Sequence, residues 1–373
     1  MKLMLYKDYH GEPISRLGMG NMRLPTVGTG FGAPIDHEKA AEIIDYAMKH
    51  GITYFDTAYI YAGSEDFLGT VLPKYERSKF KLATKFMASA NPDYKAVFEE
   101  QLKRLNTDYI DFYLLHGIMN EENIKSYLET GAVEYFLEQK EKGRIKNLGF
   151  SSHAPVPLLE KMADHHQWDF AQIQLNYLDW TMQDAKGQYE ALTKRGIPVV
   201  VMEPVRGGRL ASLSPEIDAK LKAVHPEWSI PSWAFRWLCR LDNVQVILSG
   251  MSNLAQIEDN VSTFDHMEPL SDADTALLME AAEEFRRSIS VPCTGCRYCC
   301  DNCPMKIDIP KVMAAYNRVK LDGMMGMRAL GQIKPGPADC VGCGSCQAHC
   351  PQGIEIPKLM AELAGMMKPP KKN

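Results

Sequence analysis

The sequence predicts an α/β fold in which a TIM (β/α)8 barrel precedes a small helical domain. Over the first 265 residues, eight short apolar runs alternate with helix-length amphipathic stretches. Nine of the ten cysteines, by contrast, fall between Cys293 and Cys350. This shift in composition indicates a domain boundary, which we place so that residues 1–287 form the barrel and residues 288–373 form the second domain.

The eight apolar runs account for the eight strands of a TIM barrel. They are nearly continuous in apolar residues, which is typical of parallel strands buried on both faces. In chain order the runs are SRLGMG, ITYFDT, FKLATK, YIDFYLLH, IKNLGFSS, FAQIQLN, IPVVVME and VQVILSG. A doubly wound open sheet is the alternative, but it is weakened because no G-x-G-x-x-G motif follows an early strand and GMGNMR does not fit that spacing.

Amphipathic stretches between the runs predict the helices. Two examples are HEKAAEIIDYAMKHG and DYKAVFEEQLKRLN. Asp36 precedes the first of them at the N-cap position, and Gly51 and Gly196 stand just past helix ends.

Net charge and hydropathy argue against two classes of protein, those that bind nucleic acid and those that span a membrane. The formal net charge is −5 and no basic block is present, which argues against nucleic-acid binding. The start MKLMLYKDYHGEP has too few apolar residues for a signal peptide, and the longest apolar runs are strand-sized, so we expect no membrane span and a cytoplasmic location. In a reducing cytoplasm, clustered cysteines favour metal ligation over disulfides.

Polar residues close the apolar runs, at the strand ends where TIM-barrel enzymes carry their active sites. Asp56, Lys85 and His116 close the second, third and fourth runs, and Tyr61 lies five residues after Asp56. The later runs close with Ser151, Ser152, Gln174, Asn176, Glu203 and Ser249.

The first four of these side chains suit the reduction of a carbonyl group. A tyrosine with its ordinary pKa of about 10 is a reluctant acid, and a cation such as Lys85 would favour its phenolate. Asp56 would hold Lys85 charged and in place, and a neutral His116 would orient the carbonyl by a hydrogen bond. Singly, each residue has an ordinary structural role, such as a helix cap or a partly buried tyrosine. Their combination at successive strand ends favours catalysis.

The stretch GITYFDTAYIYAGSE, Gly51 to Glu65, resembles the segment of the aldo–keto reductase family that carries its catalytic aspartate and tyrosine. The resemblance covers roughly residues 5–265 and implies a catalytic tetrad of Asp56, Tyr61, Lys85 and His116. It further implies a nicotinamide nucleotide, NADP or NAD, as cofactor. The residues implied in cofactor binding are Gly20, Asn21, Met22, Ser151, Gln174, Met202, Pro204, Ser249, Gly250, Met251, Ser252, Gln256 and Asn260.

Three positions depart from the family's pattern. Ser152 stands where the family often has asparagine, and Met202 stands where an aromatic ring often stacks on the nicotinamide. The segment from Gly250 to Gln256 lacks the lysine or arginine that often binds the 2′-phosphate. The choice between NADPH and NADH therefore stays open. A flavin in the barrel mouth is a further alternative that no sequence motif supports.

The cysteines form two copies of the spacing C-x2-C-x2-C-x3-C-P, which indicates two 4Fe–4S clusters. Because the fourth cysteine of each copy ligates the other cluster in such proteins, we assign the two ligand sets Cys293, Cys296, Cys299, Cys350 and Cys340, Cys343, Cys346, Cys303. Structural zinc is the alternative, since thiolates suit both metals. Cys300 and Cys239 are not needed as ligands of either cluster. The second domain resembles the helical two-cluster ferredoxin-like modules of larger reductases.

The leading interpretation is an oxidoreductase that reduces an aldehyde or ketone, or oxidises the alcohol, with NAD(P)H. The iron–sulfur domain would then be structural, or would relay electrons to a ferredoxin or flavoprotein partner. The alternative is a redox-sensing or electron-transfer subunit, in which the barrel binds nucleotide and the clusters exchange electrons with a partner.

Overall fold

The computed structural model describes residues 4–28, 33–265, 267–288, 291–322, 327 and 330–367. The chain divides into two compact units. The first contains Met1–Val205 and Asp218–Met279, and the second contains Arg206–Ile217 and Glu280–Asn373. The segment Arg206–Ile217 thus groups with the cysteine-rich C-terminal residues rather than with the barrel that surrounds it in sequence.

Eight parallel strands close the first unit into a barrel, which confirms the predicted fold. The strands are β3 (Leu17–Gly20), β4 (Tyr54–Asp56), β5 (Lys81–Phe86), β6 (Ile110–Ile118), β7 (Ile145–Ser152), β8 (Phe170–Gln174), β9 (Val199–Met202) and β10 (Val244–Ser249). Around the barrel the order is β10-β3-β4-β5-β6-β7-β8-β9, so each strand pairs with the next along the chain and the last pairs with the first.

An antiparallel hairpin of β1 (Tyr6–Tyr9) and β2 (Glu12–Ser15) precedes the barrel and was not predicted. Tyr9 and Ile14 are buried in one core cluster with inward-facing side chains of the barrel strands. The Tyr9 ring lies 5.3 Å from that of Phe112, and its hydroxyl donates to the carbonyl oxygen of Asp169, just before β8. The hairpin therefore closes the amino-terminal end of the barrel and leaves chemistry to the opposite end.

Helices separate the strands, as a barrel of parallel strands requires. Asp36 caps the first helix by accepting a hydrogen bond from the Lys39 backbone at 3.2 Å, which is the predicted start signal. Outside the cysteine-rich region the helices are His37–Lys49, Ser64–Val71, Tyr94–Arg104, Glu121–Leu128, Ala132–Glu141, Val156–His165, Asp179–Met182, Ala185–Lys194, Pro215–Val224, Ile230–Cys239, Leu254–Asp265 and Asp272–Ser288. In the described ranges, none is long and apolar enough to cross a membrane.

The second unit is built from short helices around the cysteine motifs. They are Tyr298–Asp301, Ile309–Asp322, Ser345–Ala348 and Ile356–Met366. Apolar residues of the two longer helices, among them Val312, Met313 and Leu363, form a core with Cys299 and Cys346. The positions of Cys299 and Cys346 are therefore fixed by packing in this core and not by loop conformation alone.

Candidate active site and cysteine-lined recesses

A buried ion pair lies at the carboxyl ends of β4 and β5. The Lys85 ammonium donates to both carboxylate oxygens of Asp56, at 2.6 and 2.7 Å, and to the carbonyl oxygen of Thr57 at 2.7 Å. Lys85 is 0% exposed and Asp56 is 3% exposed. Burial raises the pKa of Asp56 and lowers the pKa of Lys85, and the opposite charge of each offsets part of the shift.

The Lys85 backbone is supported by a polar network that sequence reasoning missed. Gln101 donates to the carbonyl oxygen of Lys85 at 3.1 Å and to the buried carboxylate of Glu65 at 2.6 Å. The Tyr113 hydroxyl donates to the Gln101 side-chain oxygen at 2.6 Å, and Arg104 pairs with Glu65 at 3.2 Å. The available signal was Glu65 itself, an acid that shortly precedes the apolar residues Phe67 and Leu68 in the helix Ser64–Val71.

Tyr61 and His116 stand beside the ion pair. The Lys85 ammonium lies 5.1 Å from the centroid of the half-buried Tyr61 ring. The Tyr61 and His116 rings meet edge to face with centroids 5.8 Å apart. Burial, and secondarily the Lys85 charge, lowers the pKa of His116 well below its usual 6.5. The imidazole is therefore neutral at ordinary pH, and its Nδ1 is buried without a hydrogen-bond partner.

A second histidine, the half-buried His153, follows β7 and was not predicted as a site residue. Burial lowers its pKa to about 4, while a hydrogen bond with Gln174 and the charge of Asp179 act in the opposite direction. The Gln174 amide donates to the Asp179 carboxylate at 2.7 Å and to Gln183 at 3.1 Å. Gln174 thus makes hydrogen bonds within the protein, and its role as a cofactor ligand stays a prediction of the resemblance.

Most of the residues that the resemblance assigns to the nucleotide lie at two neighbouring strand ends, those of β3 and β10. Gly20 ends β3 and Asn21 follows it, and the Asn21 amide donates to the carbonyl oxygen of Asp56 at 2.9 Å. After β10, the Ser252 hydroxyl donates to the carbonyl oxygen of Arg23 at 2.6 Å, which ties the two loops together. The Ser252 backbone N–H donates to the side-chain oxygen of Gln256, and the Asn260 amide donates to the hydroxyl of Ser249. Gly250 and Met251 lie between Ser249 and Ser252.

The remaining assigned positions are spread over the neighbouring strands. The Ser151 hydroxyl accepts from the backbone of Gly117 at 2.8 Å and keeps its own proton for a ligand. Met202 ends β9 and contacts Gln172 through its sulfur at 3.6 Å. Pro204 is buried shortly after this strand, and Met22 is exposed after β3. The polar groups in the loops after β3 and β10, together with the Ser151 hydroxyl, are suitable for binding a nucleotide. Gln174 would first have to give up its hydrogen bonds to Asp179 and Gln183.

Eight cysteines of the second unit are divided between two recesses. Cys293, Cys296, Cys299 and Cys350 line one of them. Cys303, Cys340, Cys343 and Cys346 line the other, which contains about 350 Å³ of empty space partly open to solvent. We call them the first and the second recess. Ile309 and Ile356 line both, so the two recesses are adjacent.

The donor set of each recess is four thiols, the ligands that hold a 4Fe–4S cluster. Cys300 is buried next to Cys299 but lines neither recess. Within the described residues, no three His, Cys, Asp or Glu side chains form a site for a single metal ion. The thiols of each set surround a space and do not converge on one point.

Comparison with known proteins gives two regions of similarity. Residues 16–283 match the Aldo/keto reductase family, and residues 292–355 match the 4Fe-4S dicluster domain. The chain is 28% identical over 236 residues to "Probable aldo-keto reductase 1" of Glycine max, covering 58% of this chain and 64% of that protein.

Two further proteins are matched over nearly their whole length. The "NADH-specific methylglyoxal reductase" of Escherichia coli is 24% identical over 74% of this chain and 96% of its own. Among solved structures, the thermostable aldo-keto reductase Tm1743 superimposes with a TM-score of 0.62 at 26% identity, covering 74% of this chain and all of that one. Each of these matches covers 74% of this chain, and the cysteine-rich residues 292–355 are similar to a separate family.

Proposed function

Because the chain belongs to the aldo/keto reductase family of NAD(P)-dependent oxidoreductases, we propose that it reduces a small aldehyde or ketone, or oxidises the corresponding alcohol. The observation that carries this proposal is the arrangement of Tyr61 between the Lys85–Asp56 ion pair and His116. A hydride acceptor with a carbonyl oxygen needs a proton donor at that oxygen, and this group of side chains supplies one.

Tyr61 is the proton donor in this proposal. Its phenolate, formed after proton donation, is stabilised by the Lys85 ammonium 5.1 Å from the ring. All three N–H bonds of that ammonium are directed at Asp56 and Thr57. Lys85 therefore acts on Tyr61 through its charge, and Asp56 keeps the charge in place.

His116 orients the substrate. Because its pKa is far below 6.5, the neutral ring can donate one hydrogen bond to a carbonyl oxygen without competing as an acid. NAD(P)H, when bound, would supply the hydride. Ser151, Asn21, Ser252 and Gln256 are the residues that would hold it. NADH and NADPH are both to be tested, since no lysine or arginine stands between Gly250 and Gln256.

The second unit is proposed to hold two 4Fe–4S clusters that relay single electrons. The first recess would use Cys293, Cys296, Cys299 and Cys350, and the second would use Cys303, Cys340, Cys343 and Cys346. The adjacency of the recesses supports electron transfer between the clusters, and a ferredoxin or flavoprotein is the proposed external partner. Free thiolate ligands also support a reducing compartment, the cytoplasm.

The enzyme assignment is tested with Tyr61→Phe in anaerobically purified protein. Reduction of a panel of small aldehydes and ketones by NADH or NADPH should fall by about 10²–10⁴-fold, the usual contribution of a general acid. Tyr59→Phe is the matched control, because Tyr59 lies two residues away and its hydroxyl donates to Glu100 at 3.1 Å, outside the tetrad. A Tyr61→Phe variant as active as the wild type would refute the enzyme assignment.

The electron-relay assignment has a separate test. NADH or NADPH is added anaerobically without a carbonyl compound, and the broad cluster absorbance is followed. Bleaching shows that electrons pass from nucleotide to iron, and a flavin bound to the protein must then divide the electron pair of the hydride between one-electron carriers. Clusters that stay oxidised with nucleotide, yet bleach with dithionite, would contradict a relay from nucleotide to clusters and leave the carbonyl reductase assignment intact.

A further inference from the structure

A cavity of about 130 Å³ lies beside the first recess, within the second unit. It is distinct from both recesses, although Cys293 and Thr294 line it as well as the first recess. Two arginines, Arg206 and Arg209, form its cationic wall, and the remaining lining residues are uncharged. The segment that brings these arginines to the cysteines is Arg206–Ile217, which joins the second unit in spite of its place in the barrel sequence.

The charge of Arg209 is poorly compensated by the protein. Its Nε is buried without a hydrogen-bond partner. Among the ion pairs of the described residues, none involves Arg209, and no carboxylate lines the cavity. A half-buried guanidinium in this position is costly unless an anion stands close to it. Four cysteine thiolates around an iron–sulfur cluster form such an anion, and one of them, Cys293, lines the same cavity as Arg209.

Among the described residues, no arginine or lysine lines the second recess. Its lining is made of cysteines and uncharged residues, among them Ile307, Pro357 and Met360. The first recess has one further arginine, Arg297, but that residue pairs with Asp308 at 3.1 Å, which offsets its charge. The two cysteine sets therefore differ in one electrostatic respect, the cationic cavity beside Cys293.

We propose that Arg209 raises the reduction potential of the cluster in the first recess and leaves that of the second cluster unchanged. The inference rests on the proposed function, since it requires clusters at both sets of cysteines. Reduction adds one electron to an anionic cluster, so a nearby uncompensated cation stabilises the reduced form more than the oxidised form. The protein thereby makes the first cluster a better electron acceptor than its ligands alone would make it.

The size of the effect follows from comparable charge pairs. A cation close to a carboxylate changes its protonation equilibrium by about ten- to a thousandfold. The smaller figure suits a half-buried arginine, which solvent partly screens. We therefore expect removal of the Arg209 charge to lower the ratio of reduced to oxidised first cluster about tenfold at a fixed potential, which is about 59 mV for a one-electron couple.

The test is an anaerobic redox titration followed by electron paramagnetic resonance. It compares wild type, Arg209→Gln, Arg209→Lys and Lys358→Gln. In Arg209→Gln, one of the two midpoint potentials should fall by about 59 mV. In Arg209→Lys, which keeps the positive charge, that potential should return most of the way to the wild-type value. Lys358→Gln removes the same charge from the same unit, but at a side chain that is 75% exposed, so neither potential should move.

A second variant changes the charge of the same cavity at another lining residue, Ala314. Ala314→Glu places a negative charge among the lining residues and should also lower only one potential, which keeps the idea testable if Arg209→Gln fails to assemble. Potentials that are equal in wild type and both variants, or that fall together for both clusters, would overturn the role of Arg209. Wild-type protein that assembles no iron–sulfur cluster would instead refute the cluster assignment from which the inference starts.

Discussion

Removing Lys85 should destabilise the barrel and abolish catalysis, and the two effects can be separated. Lys85→Met leaves the Asp56 carboxylate buried, at 3% exposure, with no cation to compensate it. The double variant Asp56→Asn, Lys85→Met removes both charges. We expect the double variant to recover most of the stability that the single variant loses, while both remain inactive.

The magnitude follows from the burial of the pair. Removing one partner of a buried ion pair costs about 3–5 kcal/mol, because the other charge stays desolvated. Replacing both partners by uncharged residues of similar volume is often nearly neutral. At about 2–4 °C per kcal/mol for a domain of this size, the single variant should lose roughly 10 °C in Tm, and the double variant much less.

The assay pairs anaerobic calorimetry with carbonyl reduction by NADH and NADPH. Calorimetry resolves the barrel transition, and the activity should fall about 10²–10⁴-fold in both variants, since neither retains the cation beside Tyr61. A single variant that melts with the wild type would refute the reasoning, because it would mean that the buried carboxylate needs no partner. A double variant less stable than Lys85→Met would refute it equally.

Three further predictions concern protonation, iron content and packing. Desolvation lowers the pKa of the half-buried His153 from 6.5 to about 4, so between these pH values the unfolded chain binds a proton that the native chain does not. Barrel stability should therefore fall by about 3 kcal/mol as pH drops from 6.5 to 4, and His153→Gln should remove that part of the slope in urea unfolding at several pH values. Cys299→Ser should lower the iron content by about half while Cys300→Ser leaves it unchanged, since only Cys299 lines a recess; equal iron in both variants would contradict the ligand assignment. Gly69→Ala places a methyl group 1.9 Å from a backbone oxygen of the neighbouring helix and should cost at least about 1–3 kcal/mol in thermal unfolding, whereas Gly365→Ala meets no atom within 4 Å and should not destabilise.

The features of this protein that the sequence predicts arise from local patterns of residues. Near-continuous apolar runs predict parallel strands, because both faces of such a strand are buried. Amphipathic stretches between them predict helices, because only one face of each helix is buried and apolar residues then recur about every 3.6 positions. The strand ends then place Asp56, Lys85 and His116 at one end of the barrel. The spacing of the cysteines is equally local, since three thiols within seven residues can contact one compact group.

The parts that sequence reasoning missed depend on contacts between distant segments. The hairpin that closes the barrel is short, and only its packing against inward-facing aromatic rings reveals its role. Glu65 and Gln101 are 36 residues apart, so their bond beneath Lys85 leaves no periodic pattern. Placing Arg209 next to Cys293 required the tertiary structure, because a charge acts through distance in space and these residues are far apart in the chain.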